Sequence, residues 1–208
     1  MSVTVDHQLL EADQLGLRTV GQVLAHLQKD RRLVVNLLID GCEPDLHSMG
    51  VVRREILDGH TLFIETADPK KLAADALCEV GEQLKEADRL RLEASELLQR
   101  NSPFKAMEKL SGCFGTWQHA QESVLKTAQL LRIDLSTLLV DDISLTDLLS
   151  DFTTQLREIK RALEHRDFVG LNDILRYEAT RTSEQWRKAL QSLLERIDTE
   201  PKVLVHAH

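Results

Sequence analysis

Apolar positions along this chain change period at Asp68-Pro69. Before that point, in a stretch that holds five of the nine glycines, short β-branched runs are separated by turns; after it, apolar residues recur every three or four positions as far as Ile197. Ser2–Val5 reads as a strand, and Asp6-His7 turns it into a second short strand at residues 8–10. Thr19 opens a helix in which Val20, Val23, Leu24 and Leu27 share a face, and Gln22 stands where a capping box needs it. Residues 33–39, LVVNLLI, are too short and too β-branched for a helix and read as a buried strand ending at Asp40-Gly41. VVRREIL and HTLFIET flank Asp58-Gly59, a dipeptide suited to a tight hairpin, and are expected as two further strands.

Beyond Asp68-Pro69, a good helix start, the stripe Ala73, Leu77, Val80, Leu84, Ala87, Ala94, Leu98 predicts a helix to about Arg100, interrupted once by Arg91. Asn101-Ser102-Pro103 breaks it. Met107, Leu110, Phe114, Trp117, Val124, Ala128 and Leu131 make a second stripe, in which Gly112 and Gly115 mark a bend or a close neighbouring backbone. Residues 133–143 form a structured connection. Ser144 with Asp147 caps a third helix along Leu145, Leu149, Phe152, Leu156, Ile159 and Leu163; Asp167 caps a fourth or marks a bend before Leu171, Leu175, Trp186, Leu193 and Ile197. Four such helices with short connections fit an up-down-up-down bundle.

The N-terminal order of strand, strand, helix and three strands, with the lead-in TVGQVLAHL, resembles the ubiquitin-like β-grasp fold over residues 2–67. Ubiquitin-like modifiers act through a free diglycine end, whereas here the last strand runs on into a helix, so the resemblance implies binding or scaffolding rather than conjugation. The stretch DFVGLNDILRYE, followed by Trp186, is similar to the last helix of uncharacterised bacterial helical proteins. More loosely, residues 69–198 resemble the bundle of flagellar export chaperones of the flagellin-binding type, which implies a partner-binding bundle. The expected fold is therefore α+β: a small β-grasp-like domain over 1–67, a mainly α four-helix bundle over 68–200, and a tail over 201–208.

Charge narrows the function. The chain carries 34 acidic and 26 basic residues, a net charge of -8 shared by both halves, which is the wrong sign for a surface that tracks nucleic-acid phosphates. Cys42, Cys78 and Cys113 are odd in number and far apart, which argues against a disulfide framework or a zinc site and for a reducing cytoplasm. No apolar run approaches the roughly 18 residues of a membrane span, and the first residues lack the form of a secretion signal.

Catalytic devices are sought without success: the sequence has no Gly-x-Gly-x-x-Gly, no Walker-type loop, no Gly-x-Ser-x-Gly elbow and no Glu-x-x-His pair. Cys113 and His119 fall on different faces of one helix, and His206 and His208 end the tail, so no catalytic, cofactor or metal residue is assigned. The expected function is a cytoplasmic, bacterial-type protein-binding adaptor or chaperone-like protein acting through its bundle. The alternative is an enzyme or small-molecule binder with a pocket where Asp40, Glu65 and Asp68 meet. Candidate interaction residues are the basic doublet Arg53 and Arg54, and Leu190 and Leu194, which belong to a surplus of apolar residues on the last helix that also suggests a homodimer through the bundle. Phe114, Trp117 and Trp186 lie on helical stripes and are expected in the core, the alternative being a partner-binding groove.

Overall fold

A computed structural model describes residues 2–199 and divides the chain into two compact units, Met1–Leu72 and Ala73–His208. In the first unit, strand β1 (Ser2–Val5) turns through Asp6 and His7, both at positive φ (48° and 64°), into β2 (Gln8–Leu9). Helix α1 (Val20–Lys29) follows, and its capping box is complete: the Gln22 N–H donates to the Thr19 hydroxyl and the Gln22 side chain accepts from the Thr19 N–H, each at 3.3 Å. β3 (Leu33–Ile39) and the last strand, β4 (Thr61–Ala67), pair antiparallel, while β1 lies parallel to β4, giving the order β2-β1-β4-β3. Val20, Val23, Leu24 and Leu27 of α1 bury one face of this sheet together with Val3, Leu37, Leu62 and Ile64.

The parallel pairing of first and last strands under one helix keeps the β-grasp-like layout, but one expected strand is missing. The segment VVRREIL forms a short helix, α2 (Met49–Val52), and a turn, not half of a hairpin. Val52 and Leu57 are its buried side chains, five residues apart, which a strand would send to opposite faces. The backbone also finds other partners: the Arg53 carbonyl accepts the Gly21 N–H at 2.9 Å, and Ile56 bridges Thr19.

In the second unit, α3 (Pro69–Gln99) is capped by Asp68, whose carboxylate accepts the Lys70 N–H at 2.8 Å. Helix α4 (Pro103–Leu131) restarts after Asn101 at φ 54°. A small hairpin of β5 (Leu139–Val140) and β6 (Ile143–Ser144) then turns through Asp141 and Asp142, again both at positive φ. Ser144 and Asp147 cap α5 (Leu145–Glu164), and Asp167 caps α6 (Phe168–Asp173), its carboxylate accepting the Gly170 N–H at 2.9 Å. A π-helical turn, Ile174–Glu178, joins α6 to α7 (Ala179–Thr199), so the fourth helix runs unbroken but is locally underwound. No backbone crowds the two glycines of α4: a Cβ on Gly112 would meet Leu90 at 3.5 Å, and one on Gly115 would meet nothing within 4 Å.

Candidate functional site

Arg91 breaks the apolar stripe of α3, yet it is only 2% exposed. Its guanidinium donates to the Leu175 carbonyl in the π-turn and to the Thr180 hydroxyl (3.2 Å), and it lies 3.3 Å from the Asp88 carboxylate. A π-turn shifts carbonyls from their usual partners one turn on, and Arg91 donates to one of the carbonyls of that turn. Asp88 also accepts from the Ser183 hydroxyl, and one turn beyond Arg91 the Ser95 hydroxyl donates to Asn172 at 2.7 Å. A polar inlay thus fastens α3 to the fourth helix through an otherwise apolar seam.

Beside it runs an aromatic file. Phe114 meets Trp117 edge-on at 5.6 Å between centroids, Trp117 meets Phe152 at 6.2 Å, and Phe152 meets Trp186 at 5.1 Å. Trp117 and Trp186 are each 4% exposed, so the aromatic residues pack as core and do not form an open groove. Where Trp186, Gln155, Asp88 and Ser183 come together a cleft of about 20 Å³ remains, and the indole N–H of Trp186, buried against it, has no hydrogen-bond partner. That volume holds about one water.

The end of the bundle where α3 passes into α4 and α5 into α6 is different in kind. Phe104 is 84% exposed, Val169 76% and Tyr177 66%, with Leu92 half-exposed nearby. Ser95 with Asn172, and Arg91 with Leu175, fix this end of α3 against α6 and the π-turn. The Arg176 guanidinium lies 6.0 Å from the Tyr177 ring centroid, and a shallow depression between Leu92, Gln99, Arg100 and Arg176 has a volume of about 360 Å³. Of the exposed apolar side chains, Leu92 thus lies beside the charged Glu96, Arg100 and Arg176.

The residues singled out by sequence are scattered. Arg53 and Arg54 are exposed on the turn after α2. Leu190 is buried against Gly81 on α3, and Leu194 is half-buried in the same core, so neither presents a face to a partner. The surplus apolar residues of the fourth helix are covered likewise, with Ala189 capped by Val140, Leu145 and Leu148. Asp40 accepts the Thr61 N–H at 2.8 Å and lies 2.7 Å from His60 Nδ1; these contacts hold its carboxyl below the usual range and raise the His60 imidazole. Glu65 accepts from the Asn36 amide at 3.2 Å, and Asp68 serves α3 as a cap.

Cys113 is enclosed between α4 and the Ala87 carbonyl, and burial pushes its thiol up to about 11, away from thiolate chemistry. His119 turns elsewhere, to Gln83 at 3.0 Å. His206 and His208 lie outside the described residues. Among the described residues, no group of three His, Cys, Asp or Glu side chains is placed to hold a metal ion, and no helix is long and apolar enough to cross a membrane. Sequence reasoning missed the exposed Phe104 and Val169; each is the second residue of its helix, just after a turn, and an apolar residue off the stripe was the signal.

No curated protein and no solved structure matches the chain. Residues 75–189, more than half of the chain, match a family described as a domain of unknown function, and that span holds the polar inlay, the aromatic file and the exposed end alike. The chain belongs to this family, DUF8042.

Proposed function

We propose that the protein is a non-enzymatic, bacterial-type cytoplasmic adaptor or chaperone-like protein that binds a protein partner through its helical bundle. The observation that carries this reading is that the bundle leaves Phe104, Val169 and Tyr177 exposed, and aromatic side chains of this kind anchor protein interfaces. An aromatic anchor with an arginine beside it is also the composition of binding hot spots. A metabolite-binding role draws less support from the bundle, whose enclosed cleft has room for about one water.

The experiment is site-specific photo-cross-linking in the native cell, with the probe at Phe104 or Tyr177 and, as a control, at Leu125, an exposed apolar side chain farther along α4. A discrete protein adduct is expected from the first two positions and not from the third, and Val169→Glu should abolish it. Adducts of equal yield at all three positions, or none at Phe104 and Tyr177, would remove the reading.

A further inference from the structure

Strand β3 ends the sheet, and its outer side is bare except at one point: Ile39 exchanges both backbone hydrogen bonds with Cys42, each at 2.9 Å. In an antiparallel ladder every second residue turns its N–H and C=O to the same side, so Leu37, two residues before Ile39, also points its peptide groups outward. Between Val34 and Asn36 the register with β4 slips, leaving Val35 unpaired and 52% exposed. Beside the strand lies a groove of about 280 Å³ lined by the apolar Leu24, Leu37 and Met49 and by the charged Arg32, Glu43 and Arg53.

An open, uncharged edge is a template for another strand, and proteins usually blunt such edges with charge. LVVNLLI contains no charged side chain; the charges stand on either side of it. Lys29, Arg31 and Arg32, with Asp30 among them, precede the strand and Asp40, Glu43 and Asp45 follow it, all of them exposed and leaving the start net basic and the end acidic. Arg32 is engaged by Asp6 at 2.9 Å and Asp40 by His60, whereas Lys29, Arg31 and Glu43 have no ion-pair partner among the described residues.

We infer that β3 pairs antiparallel with β3 of a second copy of this chain, joining the two sheets into one. The sign pattern selects the occupant and its direction. A two-fold antiparallel pairing centred near Asn36 brings the basic start of each strand beside the acidic end of the other, at both ends of the seam. A parallel pairing would set like charges together, which disfavours association. Because the surface is self-complementary, the assembly closes at two copies rather than growing into a filament. Each Val35 then has the other copy's groove to enter. The interface differs from the bundle-mediated homodimer expected from the last helix, whose apolar side chains lie in the chain's own core.

Light scattering on the full chain should give twice 23.6 kDa at micromolar concentration, falling towards 23.6 kDa on dilution. Val35→Lys, at an exposed side chain, should raise the dissociation constant at least about tenfold, the consequence of desolvating a charge at the seam. Lys29→Glu with Arg31→Glu should be monomeric, as should Glu43→Lys with Asp45→Lys, and mixing the two should restore a dimer. Hydrogen exchange should show the Leu37 amide protected only in the dimer. A constant mass of 23.6 kDa, or a dimer indifferent to Val35→Lys, overturns the inference. A dimer lost on Phe104→Glu but not on Val35→Lys moves the interface to the bundle and overturns it equally, and a charge-swapped mixture that stays monomeric overturns the antiparallel direction.

Discussion

Arg91 shows how a single misfit in a pattern can hold an element in place. On α3 it stands where the stripe calls for an apolar side chain, and its burial is tolerable because the guanidinium finds the Leu175 carbonyl, Thr180 and Asp88 together. Arg91→Leu would fill the space but leave that carbonyl and the Asp88 carboxylate short of a donor. Removing one partner of a buried charged pair costs about 3 kcal/mol or more, so urea unfolding of this variant should show a loss of that size. Trp117 and Trp186 make a second comparison. Trp117→Ala should cost roughly 3–5 kcal/mol from lost burial and a cavity. Trp186→Phe keeps most of the aromatic contact and deletes an N–H that has no protein partner, so it should change stability by less than about 1 kcal/mol. A large loss in Trp186→Phe would mean that the cleft holds a bound water to which the indole donates. The interruption at Arg91 was visible in the sequence; its partner was not, because the Leu175 carbonyl lies in a π-turn that no local signal marks.

At the scale of elements, turn chemistry was legible only in part. Asp58-Gly59 is the best hairpin dipeptide in the chain and makes no hairpin, although Gly59 does take a positive φ of 81°. The two hairpins that form turn on Asp6-His7 and Asp141-Asp142, whose side chains tolerate the left-handed region less well than glycine but well enough. Tertiary contact decided the matter: the chain between α2 and β4 is claimed by α1, where the Gly21 N–H bonds the Arg53 carbonyl. A Cβ on Gly21 would lie 2.6 Å from that carbonyl oxygen. Gly21→Ala should therefore destabilise the N-terminal unit by about 1–3 kcal/mol, while Gly50→Ala, which meets open space, should not; amide exchange in β3 and β4 would report the difference.

The helices, by contrast, were legible almost to the residue, since their stripes, Asp68-Pro69, Asn101-Ser102-Pro103 and the Ser144 and Asp167 caps are local signals. The strand ends at Asp6 add a pH dependence. The Thr66 N–H and hydroxyl both donate to its carboxylate at 2.7 Å, with Arg32 beside it, and these contacts lower its pKa below 3.8. A lowered carboxyl stabilises the fold above its ordinary range and loses that contribution as pH falls through the lowered value. The pairing of β1 with β4 should thus weaken below about pH 4, and Asp6→Asn should remove that acid dependence while weakening the pairing at neutral pH, as followed by the exchange rate of the Thr66 amide.

Each of the two units has its own principal apolar cluster, and a smaller one, Val140, Leu145, Leu148 and Ala189, lies within the second. The buried cluster of the first unit ends at Ile64, and that of the bundle begins at Ala73. The period of the apolar pattern changes at Asp68-Pro69, whereas the compact units divide four residues on, between Leu72 and Ala73, inside the first turn of α3. What the sequence could not announce was which surfaces remain uncovered, the end near Phe104 and the edge of β3, since exposure depends on every other element being in place. Both tryptophans and the only tyrosine lie in the bundle, so intrinsic fluorescence reports that unit alone. The matched family span begins inside α3 as well, so the bundle is expected to fold by itself. A chain of residues 68–199 should keep the blue-shifted emission of buried Trp117 and Trp186. Its free energy of unfolding should match that seen by fluorescence in the full chain to within about 0.5 kcal/mol, the agreement expected of sites with no shared partners. A red-shifted emission, or a fluorescence transition that moves to much lower denaturant when residues 1–67 are removed, would show that the bundle depends on the N-terminal unit for its core.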